Sequence, residues 1–123
     1  MAPCILLAED EALAAMAIEE ELLAEGYEVV LAADGQAALE AARVRKPDLL
    51  LTDLRMPRLD GAGLIRALRA EMPDLPVVVM TGYAPPGGAQ AFGGAGEGPV
   101  ALFPKPLDMD AVLVALRRML PPA

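Results

Sequence analysis

With 123 residues and 55% hydrophobic content, the chain can bury a core as one domain over 1–123, without disulfide or metal staples. A net charge of −8 and the lack of histidine argue against direct nucleic-acid binding, which needs clustered Lys and Arg, and exclude His-based acids, bases and metal ligands. The single cysteine, Cys4, forms no internal disulfide; it reads as a small core residue of a protein from a reducing compartment.

The start, Met1 to Asp10, has no basic region and reaches acids too soon for a signal peptide. No apolar run approaches the length of a membrane span, so membrane insertion is not expected and the location reads as cytoplasmic. The first apolar run, Cys4–Ala8, is strand-like and is followed by a helical pattern over Glu11–Glu25. In that helix Ala15, Ile18 and Leu22 share one face suited to the core, and Gly26 stands where a C-terminal cap belongs. Met16 and Leu23 lie off this stripe; we expect partial burial against the last helix, with some use as a docking surface.

A second strand is expected at Glu28–Ala32, a helix at Gln36–Arg45, and a third strand at Leu49–Asp53. Leu49 to Leu51 is a continuous apolar run, as in a strand covered on both faces. It ends on a carboxylate, and Pro57 soon forbids continuation. A helix at Ala62–Glu71, a strand at Val77–Met80, a strand at Val100–Phe103 and a helix at Asp108–Leu120 complete the series, with Asp108 as N-cap. Alternation of this kind predicts βα units on a parallel sheet. The stretch between Gly82 and Pro99 breaks the pattern, holding seven of the eleven glycines with Pro85, Pro86 and Pro99. Each interior glycine costs a helix about 1 kcal/mol and each interior proline about 3, so no normal helix is expected here. A plain crossover and a mobile functional loop both remain open readings.

Strand exits carry the chemistry. The first delivers Glu9 and Asp10, the third Asp53, the fourth Thr81 and the fifth Lys105. In an open parallel sheet these ends meet on one edge, where ligands bind. Three crowded carboxylates repel unless a cation sits among them, and hard oxygen donors suit Mg²⁺. A carboxylate in such a site can attack a phosphoryl group to form an aspartyl phosphate. Taken alone, each residue reads as a cap, a turn residue or a surface lysine; their joint placement is what carries weight.

The segments Leu7-Ala8-Glu9-Asp10-Glu11, Pro47 to Pro57, Asp60-Gly61, Met80-Thr81-Gly82 and Lys105-Pro106 together resemble the receiver (CheY-like) domain of two-component response regulators over essentially the full length. The resemblance implies a flavodoxin-like α/β fold: a doubly wound five-stranded parallel sheet of order 2-1-3-4-5, helices on both faces and, here, a degenerate fourth helix. It implies that Asp53 takes a phosphoryl group from a histidine kinase or histidine phosphotransfer protein, changing partner binding. Asp10, Asp53 and the backbone carbonyl of Arg55 would hold Mg²⁺, with Glu9 acting mainly through water, while Thr81 and Lys105 bind phosphoryl oxygens. Such a protein is not an enzyme beyond its own phosphorylation and dephosphorylation, and weak homodimers are a further partner state.

Two departures stand out. Many receivers carry a switching aromatic three positions before the lysine, where this chain has Leu102; Phe103 follows, faces the other side of its strand, and reads as core. The run Val79 to Tyr83 resembles a receiver subgroup, known chiefly from alphaproteobacteria, with a reduced fourth helix, so Tyr83 offers an alternative ring and phosphorylation is expected to order residues 82–99 through Thr81. Arg55 and Tyr83 occupy positions that tune water access in the family. The chain ends soon after the last helix, as a stand-alone receiver or as a piece of a larger protein. A haloacid dehalogenase phosphatase would need an acid where Arg55 stands, and no glycine-rich phosphate loop follows the first strand. The remaining alternative is a receiver-like interaction module that signals without phosphorylation.

Overall fold

The computed structural model describes residues 2–82 and 98–120. Their order is β1 (Cys4–Ala8), α1 (Ala12–Ala24), β2 (Glu28–Ala32), α2 (Gly35–Val44), β3 (Leu49–Asp53), α3 (Gly61–Glu71), β4 (Val77–Thr81), β5 (Val100–Pro104) and α4 (Met109–Met119). All strand pairs are parallel and the sheet runs β2-β1-β3-β4-β5. Fold class and strand order therefore follow the expectation, with β4 and β5 each one residue longer. The anticipated degenerate helix, the ordering of residues 82–99 and the Tyr83 ring fall mainly on 83–97, outside the described residues.

Side-chain alternation sorts the sheet into two apolar layers. On one face Leu6, Ala8, Leu50, Val77 and Val79 pack with Ala38, Leu39 and Ala42 of α2 and Leu64, Ile65 and Leu68 of α3. On the other, Ile5, Leu7, Leu49, Leu51, Val78 and Met80 pack with Ile18 and Leu22 of α1 and Val112, Leu113 and Leu116 of α4. β1, β3 and β4 are buried along their whole lengths, which is why they read as unbroken apolar runs. Cys4 is buried as expected.

Aspartates start three of the helices. Asp34 Oδ1 accepts from Ala37 N at 2.7 Å, Asp60 Oδ1 from Gly63 N at 2.8 Å, and Asp108 Oδ1 from Ala111 N at 3.3 Å. Gly26 closes α1 with φ of 93°, a left-handed conformation that favours glycine. One expectation is corrected: Met16 and Leu23 are 59% and 53% exposed, and α4 covers neither. The α4 side chains instead seat on the Ile18–Leu22 edge of α1.

Arg69 in α3 is a finding the sequence did not announce. It is 1% exposed, and its Nη2 donates to the carbonyls of Leu75 (2.9 Å), Gly98 (2.6 Å) and Pro99 (3.0 Å), with Nε also reaching Leu75 O (3.2 Å). Burial lowers its pKa, and its Nη1 has no hydrogen-bond partner among the described residues. The guanidinium ties the turn before β4 to the segment entering β5. Pro99 O keeps a second donor, Val77 N at 2.9 Å, so Arg69→Leu strands chiefly the carbonyls of Leu75 and Gly98. Each stranded carbonyl costs about 1–3 kcal/mol, partly offset by no longer burying a charge. A net loss of about 2 kcal/mol, seen as a thermal midpoint roughly 10 °C lower by circular dichroism, is the expected result.

Candidate phosphoacceptor site

The parallel register brings the strand exits together. Ala8 pairs with Thr52, Asp53 with Met80 and Thr81 with Pro104, so Glu9, Asp53, Thr81 and Lys105 line the carboxyl edge in neighbouring rows. The edge is extended by Lys105 N donating to Thr81 O at 2.8 Å. The Lys105–Pro106 peptide bond is cis.

Asp53 is 8% exposed, and its two carboxylate oxygens are held differently. Oδ1 accepts from Leu54 N at 2.7 Å and lies 3.5 Å from Arg55 N, whereas Oδ2 accepts from Lys105 Nζ at 3.0 Å. The same ammonium donates to Glu9 Oε2 at 3.0 Å, and Glu9 Oε1 accepts from Glu11 N at 3.1 Å. Lys105 thus bridges two acids from two strands. A cleft of about 450 Å³ opens over them, lined by Asp10, Glu11, Asp53, Arg55, Thr81, Gly82 and Lys105. Asp10 and Arg55 are exposed at its mouth and Thr81 is buried in its wall.

The charge balance leans negative. Burial pushes the Glu9 carboxyl above its ordinary range, despite the Glu11 amide and Lys105, which favour its charged form. For Lys105 burial acts downward, yet hydrogen bonds and charge from Asp53 and Glu9 outweigh it and raise its pKa. The ammonium has surplus carboxylate around it, while Glu9 has too little positive charge. Glu9, Asp10 and Asp53 present ligand oxygens all within 4.8 Å of one another. Such a hard, negatively charged oxygen set fits a divalent cation.

Leu102 packs toward the α2–α3 layer and Phe103 toward the α1–α4 layer, both partly buried, so Phe103 faces away from Leu102 as alternation requires. Residues 5–117 match the response regulator receiver domain family. The chain belongs to that family. It is 35% identical to the response regulator MprA of Mycobacterium ulcerans over 94% of this chain and 49% of that protein. It is 44% identical to the transcriptional regulatory protein PdtaR of Mycobacterium tuberculosis over 65% of this chain and 39% of that one. The chain therefore spans half or less of the length of these curated relatives. Among solved structures, the receiver domain of the sensor histidine kinase PA1611 from Pseudomonas aeruginosa superposes with a TM-score of 0.82 at 30% identity, covering 97% of this chain and 98% of that one; it has a magnesium ion coordinated in its active-site cleft. Receiver domains of two-component systems work with histidine kinases, and this receiver shares their fold. Among the described residues no helix is long and apolar enough to cross a membrane.

Two contributors to this receiver site went unread in the sequence. Thr52 donates through Oγ1 to the Asp53 carbonyl at 2.8 Å, and Gly61 packs so closely that a Cβ there would lie 2.3 Å from the same oxygen. The Thr within a leucine run and the Asp60-Gly61 pair were the available signals.

Proposed function

We propose that Asp53 accepts a phosphoryl group from a histidine kinase or histidine phosphotransfer protein, and that the acyl phosphate changes which partner the receiver binds. The observation that carries this reading is Lys105, held 3.0 Å from both Glu9 and Asp53 at the floor of an open cleft. In the transfer a carboxylate oxygen of Asp53 forms the O–P bond while the P–N bond to the donor imidazole breaks; the imidazole keeps the electron pair and takes up a proton. Lys105 then shifts its charge to the phosphoryl oxygens, and the Thr81 hydroxyl donates to another.

Asp10, Asp53 and the Arg55 carbonyl would hold Mg²⁺. Glu9, which the Glu11 amide and Lys105 hold at the back of the site, would act mainly through water. The bound ion supplies neutralisation of the phosphoryl oxygens as their charge reorganises. Beside the cleft runs an apolar groove of about 310 Å³, whose lining includes Ala14, Ala17, Ile18, Pro106 and Leu107 as well as Lys105, and it seats the phosphodonor next to Asp53.

Incubation with acetyl phosphate and Mg²⁺, followed by intact mass, tests the reading. One added phosphoryl group is expected; no uptake would leave a module that signals by binding alone. Arg55 bears on lifetime, because its exposed side chain lines the cleft over Asp53 and restricts water. Arg55→Ala shortens the acyl-phosphate half-life roughly two- to fivefold, as expected for under 1 kcal/mol of lost water exclusion. An unchanged hydrolysis rate after donor removal would dismiss this role.

A further inference from the structure

Thr52 is fully buried one residue before the acceptor, on a strand otherwise filled by leucine up to Asp53. A valine would fill the same volume without a hydroxyl, and a buried hydroxyl costs stability unless bonded. Here it donates to the Asp53 carbonyl at 2.8 Å. That carbonyl belongs to the same peptide unit as Leu54 N–H, which donates to Asp53 Oδ1 at 2.7 Å. A peptide unit is rigid and planar, so turning its C=O turns its N–H. Gly61 braces the unit from behind: its Cα approaches the Asp53 carbonyl, and its N–H donates to Leu54 O at 2.9 Å.

We propose that Thr52 is a positioning residue for phosphoryl transfer: its hydroxyl sets the plane of the Asp53–Leu54 peptide, and that peptide aims the Asp53 carboxylate. The chain of contact runs from Thr52 Oγ1 through the backbone to Oδ1, leaving Oδ2 to Lys105. The two carboxylate oxygens are thereby fixed in separate roles before any donor arrives. Without the hydroxyl, the peptide rotates more freely and Oδ1 loses a well-aimed donor. The inference rests on Asp53 being the acceptor.

The test compares wild type, Thr52→Val and Thr52→Ser, each checked for folding by circular dichroism. Uptake from acetyl phosphate with Mg²⁺ is followed by intact mass, and the chemical shift of the Leu54 amide proton is read by NMR in the unphosphorylated protein. Thr52→Val is expected to slow uptake roughly five- to tenfold, the equivalent of one lost hydrogen bond, and to move the Leu54 amide proton upfield as its bond to Oδ1 loosens. Thr52→Ser restores the rate to within about twofold and keeps the Leu54 shift, since one hydroxyl bond is regained. Wild-type uptake by Thr52→Val, or a Thr52→Ser as slow as Thr52→Val, would overturn the proposal. Thr52→Ala, which has no donor at all, is the second variant should valine not fold, and wild-type uptake with it counts equally against the idea. If the wild type itself takes up no phosphoryl group, the acceptor reading fails, while the Leu54 amide shift still decides what Thr52 does.

Discussion

Asp53→Asn takes up no phosphoryl group from acetyl phosphate. The substitution keeps the size of the side chain and an acceptor oxygen for the Leu54 amide, but it replaces the nucleophilic carboxylate by an amide that forms no stable acyl phosphate. Lys105 keeps Glu9 as partner, so the fold and the cleft persist. Loss of uptake is therefore a loss of chemistry rather than of structure, and intact mass after a long incubation separates the two cleanly. Circular dichroism of the variant should overlay that of the wild type. A phosphoryl group still gained by Asp53→Asn would move the acceptor elsewhere, Asp10 being another carboxylate at the cleft mouth.

Gly61→Ala damages both fold and chemistry. The new methyl would lie 2.3 Å from the Asp53 carbonyl oxygen and 2.9 Å from Leu54 Cα, both backbone atoms that no side-chain rotation can move aside. The entry to α3 must back away or the Asp53–Leu54 peptide must tilt. Overpacking of this kind costs about 1–3 kcal/mol, and about 2 kcal/mol lowers the thermal midpoint of a domain this size by roughly 10 °C. The chemical loss is larger, because displacing a reacting group by about 1 Å can cost around a hundredfold in rate. Uptake slowed at least tenfold relative to wild type is the expected time course by intact mass, given that scale.

Gly26→Ala supplies the contrast. Gly26 needs its φ of 93°, but no atom lies within 4 Å of an added Cβ, and it sits at the far end of α1 from the cleft. A left-handed alanine costs about 1–2 kcal/mol of stability, so its melt should drop while its uptake rate stays that of the wild type. If Gly61→Ala merely melts earlier, like Gly26→Ala, with normal uptake, the close approach of Gly61 plays no part in aiming Asp53.

Much of the site was legible because the signals were local. Apolar runs of five residues alternating with helical patterns specify βα units, and βα units specify a parallel sheet. A residue at the end of each run must then stand at the carboxyl edge, which brings Glu9, Asp10, Asp53, Thr81 and Lys105 together. Alternation likewise put Leu102 and Phe103 on opposite layers. The flank of α1 was less legible. Helical periodicity says that Met16 and Leu23 lie off the Ala15–Ile18–Leu22 stripe, but which neighbour covers a flank depends on how α1 and α4 cross. They meet along Ile18 and Leu22, leaving Met16 and Leu23 to solvent.

By itself the sequence determined the sheet, the edge and the set of acids, since these follow from short-range pattern and strand polarity. Only the tertiary structure decided how the groups are engaged. Arg69 looks like any arginine late in a surface helix, and its burial came from the return of distant residues 98 and 99 onto the turn before β4. Glu9 reads from the sequence as a metal-site acid, and only the folded chain shows its oxygens accepting from partners two and ninety-six residues away. Thr52 looked like one more strand residue until its hydroxyl met the peptide that holds Asp53. Hydrogen bonds depend on angles and on ångström-scale distances between chain segments, and those are fixed by how helices seat on the sheet.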